Sequence, residues 1–446
     1  MEEANRIDPK AEFGPIVGNR WIQLIAGIVS MIVISNFQYA FTLFTPGLKA
    51  TFPNVPYKDI ALIFTLFILF ETWPVPVAGN FIDRFGIRRL MLVGSTLILL
   101  GWVLGGTVAT QVSHLYICYG VLAGTGAGII YIATVANAVK WFPDRRGLAA
   151  GLTAAGFGGG AALTLIPISS TIHNMGWAGA MTVWGLGQGI VAIAAALILR
   201  HPPKGWAPPN WVAPKAVAQT SEQFTWTQML SRKEFYLLYF MFLMVCTGGL
   251  MTTGNLSQIA KSLNVFDAKI LGIAIVPFTA TIAGVTNAFA RIMWGALSDK
   301  FGREYTMAFA FAFEGVLIFA MTQIMGSPVL FVVLLPFVFL AWGEIYALFS
   351  AITGDVFGAK NASGNYGILY TAKGLASILA GYGAAIVAAH YAGSFQVPYY
   401  ISAVFDITAA FLAIAVLRPI VRARILKEKG ARLPSRPFGS PAAAHP

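Results

Sequence analysis

Long apolar stretches recur along this chain and limit what it can fold into. Twelve of them approach the ~20 residues that a helix needs to cross a bilayer, and polar segments separate them. Charged residues make up only 11% of the chain, against ~25% in ordinary soluble domains, and the mean hydropathy is +0.70. The sequence therefore predicts an all-α integral membrane protein with twelve transmembrane helices.

The twelve predicted helices divide into two groups of six. They cover residues 21–44, 58–81, 88–110, 114–138, 147–170, 177–199, 235–259, 268–296, 304–325, 328–353, 365–390 and 397–419. Residues 200–234 are the longest interruption, rich in proline and basic side chains. They predict a cytoplasmic linker between an N-terminal half, 21–199, and a C-terminal half, 235–419. A cytoplasmic N-terminal segment, 1–20, and a cytoplasmic tail, 420–446, complete the predicted organisation.

Lysine and arginine residues are concentrated in alternate loops. Arg84, Arg88, Lys140 and Arg303 belong to one set of loops, and the opposite loops carry few cations. Because short cytoplasmic loops are enriched in such residues, the first set is predicted to be cytoplasmic. Both termini then lie on that side of a plasma (inner) membrane. The net charge of +12 comes from these cytoplasmic loops, so nucleic acid is not an expected partner. The protein is predicted to be a monomer.

One motif occurs twice, about half a chain apart. GNFIDRFGIRR begins at Gly79 after the second predicted helix, and GALSDKFGREY begins at Gly295 after the eighth. The two segments resemble the loop signature of the major facilitator superfamily. The resemblance covers Gly79, Asp83, Arg84 and Arg88 in the first copy and Gly295, Asp299, Lys300 and Arg303 in the second. It implies a parallel six-plus-six repeat, with the substrate site between the halves and the motifs acting in the conformational change. The aspartate of each copy is expected to cap the next helix.

Two cations, Arg291 and Lys373, stand inside apolar helices, and neither has an acidic residue one turn away on its own helix. A bare charge in hydrocarbon costs at least ~3 kcal/mol, so the fold must compensate both cations. The simplest compensation is an anion that binds and leaves, and two converging cations suit a dicarboxylate. The alternative is that each cation reaches the cytoplasmic interface or forms a structural ion pair. Asn287, one turn before Arg291, is expected to hold the guanidinium or to contact the ligand.

Polar aromatic and amide side chains lie in the helices predicted to border the same cavity. Tyr370 precedes Lys373 by about one turn and shares its helix face. The other candidate ligands are Gln38 and Tyr39 in the first helix, Tyr131 in the fourth, and Trp342 and Tyr346 in the tenth. Each alone is typical of packing, whereas together they predict a cage around a small anion. No Walker lysine motif or metal-ligand spacing occurs, so neither a cofactor nor a metal is expected.

Most of the chain, from Gly18 to the end of the twelfth predicted helix, resembles the bacterial oxalate/formate antiporter family. The most specific segments are FQYAFTLF, VKWFPDRRGLAAGLTAAGFG, NAFARIMWGALSDKFGR, WGEIYALF and NYGILYTAKG. The resemblance places the family's two substrate-binding cations on Arg291 and Lys373. It places the cavity aromatics on Tyr39, Tyr131, Trp342 and Tyr346, with Tyr370 replacing a tryptophan. It implies exchange of a dicarboxylate for a monocarboxylate by alternating access.

Two acidic residues depart from that family's pattern. Glu344 stands where a small neutral residue is expected, and Glu71 stands where the family commonly has an amide. Acids on cavity-lining helices are candidates to carry protons, so a proton-coupled lactate or pyruvate symporter is the alternative function. Glu344 can instead face a neighbouring helix. A membrane anion sensor is a third possibility, although the linker and tail are short for a signalling domain. No catalytic nucleophile or acid–base pair is evident, so an enzyme is not expected.

Overall fold

The computed structural model describes residues 9–77, 81, 85–203, 206, 208, 222–324, 326–358 and 361–428. Within these residues, eleven helical stretches are long and apolar enough to cross a membrane. One stretch, Leu148–Ile198, holds two consecutive helices, which meet at Gly176, where a φ of 73° interrupts the helical backbone. Twelve spanning helices result, and the predicted all-α membrane fold is confirmed.

We number the spanning helices α1 to α12 in chain order. They are α1 Arg20–Thr51, α2 Tyr57–Val77, α3 Ile87–Val108, α4 Val112–Trp141, α5 148–175, α6 177–198, α7 Lys233–Ser262, α8 Ile275–Phe301, α9 Arg303–Met321, α10 Pro328–Phe357, α11 Gly364–His390 and α12 Gln396–Arg424. Two short helices, Pro9–Val17 and Trp226–Leu230, precede α1 and α7. Two short strands, β1 (Lys269–Ile270) and β2 (Ile273–Ala274), pair antiparallel just before α8.

The eighth helix differs most from its predicted bounds. The sequence pattern predicts 268–296, whereas α8 covers Ile275–Phe301. The β hairpin occupies the predicted first turns, and the helix continues until Gly302, whose φ is 93°. The second motif copy, from Gly295 onward, therefore begins inside the last two turns of α8 and not in the loop after it.

Several spanning helices are interrupted part-way along their length, among them α5 at Ala161–Leu163. α1 bends at Ala40, the regular part of α2 ends at Thr72, and α10 makes a turn at Gly343. Such interruptions free backbone groups and redirect the neighbouring side chains. Four of the predicted site residues stand next to these interruptions, namely Tyr39, Glu71, Trp342 and Glu344.

The two halves meet where α1, α2 and α5 pack against α7, α11 and α8. At one end of the molecule the halves are hydrogen-bonded together. The Ser257 hydroxyl donates to the Thr42 carbonyl at 2.7 Å, and the Tyr57 hydroxyl donates to Asn255 Oδ1 at 2.9 Å. We call this end the Tyr57 face. At the opposite end, the Arg303 face, a cavity of about 620 Å³ lies between the halves. The halves are therefore closed together at one face and separated at the other.

Several predicted segments lie partly or wholly outside the described residues. These are Gly79, Asp83 and Arg84 of the first motif copy, the terminal residues 1–8 and 429–446, and part of the linker. The described end of the linker is attached to the C-terminal half. The Phe224 amide donates to the Phe357 carbonyl at 2.9 Å, and the Asn365 side chain donates to the Phe224 carbonyl at 3.0 Å. These bonds tie the end of the linker, before α7, to the adjoining ends of α10 and α11.

Candidate functional site

Lys373, in the middle of α11, is bonded to three side chains. Its ammonium donates to Glu71 Oε2 at 2.8 Å, to Gln38 Oε1 at 2.9 Å and to the Tyr370 hydroxyl at 3.2 Å. Lys373, Glu71 and Gln38 are all fully buried. Glu71 belongs to α2 and Gln38 to α1, so a buried ion pair joins the C-terminal half to the N-terminal half.

The backbone of α2 lies close to Lys373 because the next residue of α11 is a glycine. A Cβ on Gly374 would collide with the Thr72 hydroxyl and would lie 2.8 Å from the Trp73 ring. Glu71 stands just before these two residues, at the end of the regular part of α2. The close contact between the helices therefore directs the Glu71 carboxylate at Lys373.

This ion pair matches the alternative for Lys373 that the sequence left open. The sequence favours a bound anion as the compensation and keeps a structural ion pair as the alternative, and in the structure an acid 302 positions away is the partner. No local pattern links the two residues, because they meet only when α2 packs against α11. The available signal is that each is an isolated charge in an apolar run, and such charges usually pair with one another.

Arg291 is held without a carboxylate. Its guanidinium donates to the Ala154 carbonyl at 2.9 Å and to Asn287 Oδ1 at 3.2 Å. Its Cζ lies 3.9 Å from the centroid of the Tyr346 ring. Among the described residues, no carboxylate oxygen lies within 4.0 Å of the guanidinium, and Nε has no hydrogen-bond partner. The positive charge of Arg291 is therefore not neutralised by any acidic side chain in the described part of the chain.

The close packing of α5 against α8 shapes the surroundings of Arg291. A Cβ on Gly158 would lie 2.6 Å from Asn287 Oδ1 and 2.7 Å from Arg291 Nε, so only glycine leaves room for both groups. The Tyr39 hydroxyl of α1 donates to Asn287 Oδ1 at 3.5 Å, and the Asn287 amide donates to the Phe339 carbonyl at 3.2 Å. Asn287 thus fixes the guanidinium, which is one of the two roles expected for it.

Two aromatic rings lie close to both cations. The Tyr346 centroid is 3.9 Å from Arg291 Cζ and 5.6 Å from Lys373 Nζ. The Phe157 centroid is 5.7 Å and 5.5 Å from the same two atoms. Ring faces attract cations without neutralising them, so the rings hold two positive groups near one another. The sequence analysis does not identify Phe157, because a phenylalanine in an apolar helix is indistinguishable from a packing residue.

The other predicted aromatic residues enclose this centre. Tyr131 of α4 stacks on Tyr370 of α11, with centroids 5.5 Å apart and 8° between the ring planes. Trp342 is fully buried, with its ring centroid 5.8 Å from that of Tyr346, and it occupies the space left by Gly249 of α7. Trp342 therefore packs against Tyr346, and the stacked pair of Tyr131 and Tyr370 connects the two halves.

The cavity of the Arg303 face ends at this cluster of side chains. Arg291, Tyr131 and Tyr346 line its inner end, and its wall extends to Arg303. Lys373 is fully buried behind this aromatic layer. The two cations share two neighbouring rings, but Arg291 borders the cavity and Lys373 does not.

Glu344 is separate from the two cations. It is fully buried at the turn in α10, and neither carboxylate oxygen has a hydrogen-bond partner among the described residues. Its electrostatic neighbour is Glu314 of α9. Glu314 and Asp406 of α12, both fully buried, approach the same position on α7, Gly248. Within the described residues no group of three such side chains is arranged to hold a metal ion.

The second motif copy forms ion pairs at the Arg303 face. Arg303 bonds to Asp299 at 2.6 Å and to Asp355, near the end of α10, at 3.0 Å. Asp299 thus binds a side chain of α9 and does not cap that helix, so the capping role expected for it is wrong. The cause is the longer α8, which keeps Asp299 inside a helical turn. The other described motif residues are Gly295, which lines the cavity, and the exposed Lys300 and Arg88.

Known proteins resemble this chain in sequence and in fold. A model described as Major Facilitator Superfamily matches residues 22–280 and 256–443. The chain is 33% identical over 403 residues to the oxalate:formate antiporter of Oxalobacter formigenes, covering 90% of this chain and 92% of that protein. It is 26% identical over 377 residues to monocarboxylate transporter 4 of Gallus gallus, covering 79% and 74%. The crystal structure of a D-xylose-proton symporter matches with a TM-score of 0.68 at 13% identity, covering 88% and 96%, which is a likeness of fold.

Proposed function

This chain belongs to the major facilitator superfamily, and we propose that it carries small carboxylate anions by alternating access, with exchange of a dicarboxylate for a monocarboxylate. Its relatives are transporters, so it is a multi-pass membrane transporter and not an enzyme. The choice of an anion as the cargo rests on one observation. Arg291 ends a cavity between the halves with a guanidinium that no described acidic side chain neutralises.

The chemistry of Arg291 suits a carboxylate. A guanidinium offers parallel N–H groups that match the two oxygens of a carboxylate, and such charge-assisted bonds are among the strongest in proteins. Its Nε is unpaired among the described residues, and so is the Tyr346 hydroxyl beside it. We infer that one carboxylate of the cargo binds here, and that Lys373 receives the second carboxylate of a dicarboxylate.

The difference between the two faces supports alternating access. The cavity lies at the Arg303 face, while hydrogen bonds across the halves close the Tyr57 face. The loops at the Arg303 face carry the excess of lysine and arginine, so we propose that this face is cytoplasmic, that both termini lie there, and that the membrane is the plasma (inner) membrane. The structure then corresponds to a carrier whose site is reached from the cytoplasm.

The named relatives support the same class of cargo. One is an oxalate:formate antiporter and another is a monocarboxylate transporter, and both align with most of this chain. Their names describe those proteins, and for this chain oxalate and formate are proposed substrates. The Arg291 site suits the cargoes that both names describe, because each of these cargoes has at least one carboxylate group.

A second candidate function is proton-coupled symport of a monocarboxylate such as lactate or pyruvate. The observation that favours it is the ion pair between Lys373 and Glu71. The pair leaves Arg291 as the unneutralised charge of the site, which matches a monoanion. Glu71 is also a carboxylate within the membrane that can carry a proton.

Uptake into proteoliposomes distinguishes these candidates. Vesicles containing the purified protein are loaded with oxalate, with formate, with lactate, or with buffer alone under an imposed pH gradient, and the entry of labelled oxalate and lactate is measured. Vesicles containing the Arg291→Ala protein serve as the control. We expect labelled oxalate to enter vesicles loaded with oxalate or formate and not those loaded with buffer.

Two results would change the assignment. Lactate entry into buffer-loaded vesicles that depends on the pH gradient supports symport and rejects exchange. Absence of carboxylate entry under every loading condition, with the protein folded in the membrane, rejects carboxylate transport altogether.

A further inference from the structure

Glu71 occupies the position at which a second carboxylate of the cargo would meet Lys373. Its Oε2 lies 2.8 Å from Lys373 Nζ, and Gln38 and Tyr370 complete the coordination of the ammonium. The other oxygen, Oε1, and the Gln38 Nε2 group have no hydrogen-bond partner among the described residues. The lysine therefore already has its anion, while polar atoms on both sides of the pair remain free to bind another group.

The charges of the site add up to one positive unit. Arg291 and Lys373 each contribute one positive charge, and Glu71 contributes one negative charge. The other titratable side chains that interact with Glu71 are neutral tyrosines on the surrounding helices, namely Tyr39 on α1, Tyr131 on α4, Tyr346 on α10 and Tyr370 on α11. From α7, Cys246 faces Lys373. One negative charge from the cargo therefore makes the site neutral.

We propose that Glu71 acts as a counter-ion supplied by the protein. Because of it, each cargo brings a net charge of one negative unit into the site. A monocarboxylate binds to Arg291 and leaves Glu71 on Lys373. A dicarboxylate binds to Arg291 with one end, displaces Glu71 from Lys373 with the other, and enters together with one proton, which Glu71 holds. This inference rests on the proposed function and specifies the net charge that enters the site with each cargo.

The proton is required by the energetics of burial. A carboxylate displaced from its ion-pair partner inside the membrane has a charge that no direct partner compensates, and such a charge is strongly destabilising. Protonation removes that charge without moving Glu71 into water. Glu71 lies next to Thr72, where the regular part of α2 ends, so the helix is interrupted beside the ion pair.

The proposal determines the charge balance of exchange. Oxalate²⁻ and H⁺ move inward together with a total charge of one negative unit, and one formate⁻ moves outward. The exchange is then electrically neutral. In a carrier with glutamine at position 71, oxalate²⁻ enters without the proton, so each exchange moves one net negative charge inward.

The test compares the wild-type protein with the Glu71→Gln variant in formate-loaded vesicles. Labelled oxalate is added outside, and a potassium gradient with valinomycin sets an inside-positive potential or no potential. In the wild type we expect the same oxalate accumulation under both conditions. In the Glu71→Gln protein we expect about tenfold more accumulation for a potential of about 60 mV, the ratio that one moved charge supports.

A second measurement uses the wild-type protein alone, so the proposal remains testable if the variant does not fold. A pH dye trapped in lightly buffered vesicles should report acidification when external oxalate exchanges for internal formate, and none when external formate does. The matched control is Glu314→Gln, another fully buried acid, which has no cation partner among the described residues and should keep the wild-type behaviour.

The outcomes separate this proposal from the proposed function. Wild-type oxalate–formate exchange that is driven by the potential and moves no protons overturns the role of Glu71 and leaves carboxylate exchange intact. Potential-independent exchange by the Glu71→Gln protein also overturns it. Absence of any carboxylate exchange in the wild type rejects the proposed function itself.

Discussion

Arg291 and Lys373 are two buried cations of the same half, and the protein compensates them in different ways. Lys373 is paired with a carboxylate from the other half at 2.8 Å. Arg291 is surrounded by a carbonyl, an amide oxygen and an aromatic ring, none of which carries a full negative charge. Both are buried, so burial alone does not identify an anion site. From the difference in partners we propose Arg291 as the permanent anion site and Lys373 as a conditional one.

The difference also changes how the empty carrier behaves. Two unpaired cations near the same rings would repel each other when the halves close without cargo. Glu71 removes most of that repulsion, because it neutralises one of the two charges. A carrier of this kind retains strong binding at Arg291 while lowering the electrostatic penalty of closing empty. The following predictions test this contrast between the two cations.

The largest expected effect is on stability, through the partner of Lys373. The Lys373→Met protein leaves Glu71 buried without a cation, which costs about 3–5 kcal/mol. The double variant Lys373→Met with Glu71→Gln removes both charges and should recover most of that loss. Thermal unfolding of the purified protein in detergent measures both. A double variant no more stable than Lys373→Met contradicts the pairing.

Arg291 should behave differently in the same assay and most strongly in transport. The Arg291→Ala protein has no buried acid left unpaired, so its stability should fall less than that of Lys373→Met. Its carboxylate uptake should fall by at least ~100-fold, because bonds to a charged group contribute about 1.5–3 kcal/mol each. The exposed Lys233 at the start of α7 supplies the control, Lys233→Ala, with normal uptake expected. Near-normal initial rates of uptake by the Arg291→Ala protein would show that Arg291 does not bind the carboxylate.

The glycines beside the two cations should give intermediate and distinct effects. Gly158→Ala places a Cβ 2.7 Å from Arg291 Nε and should raise the KM for a carboxylate by about tenfold. Gly374→Ala pushes α2 away from α11 and should lower the thermal stability by about 1–3 kcal/mol. Gly187→Ala, where a Cβ meets nothing within 4 Å, is the control. Identical phenotypes for Gly158→Ala and Gly374→Ala would indicate general loss of packing.

The smallest effect is expected at Glu344. This acid has no contact with either cation and faces Glu314 of α9. The Glu344→Gln protein should transport at a rate within about twofold of the wild type and with the same dependence on pH, because the change keeps the size of the side chain and alters no hydrogen bond to Arg291 or Lys373. Measuring uptake across a pH series for Glu344→Gln and Glu71→Gln side by side checks this. A pH profile altered by Glu344→Gln and unaltered by Glu71→Gln would reverse the roles assigned to these acids.

Much of the fold could be predicted from the sequence because membranes require long apolar helices. The twelve helices and the duplicated motif follow from patterns that each segment carries by itself. The bounds of α8 were harder to predict, because the motif from Gly295 is helical until a positive φ at Gly302. Arg291 and Lys373 could also be singled out, since both are conspicuous in apolar surroundings, and their binding of an anion stays a prediction. Phe157 could not be singled out, because its place beside the two cations depends on tertiary packing.

The sequence by itself determined that this chain crosses a membrane, that it is built from two similar halves, and that two cations lie where charge is costly. Those properties are local, because each can be read within one helix or one repeated segment. The tertiary structure decided how each cation is compensated. Glu71 and Lys373 are 302 positions apart and meet through the packing of α2 on α11, with Gly374 allowing the close approach. A contact between distant segments depends on the arrangement of the whole bundle, and no single segment encodes it.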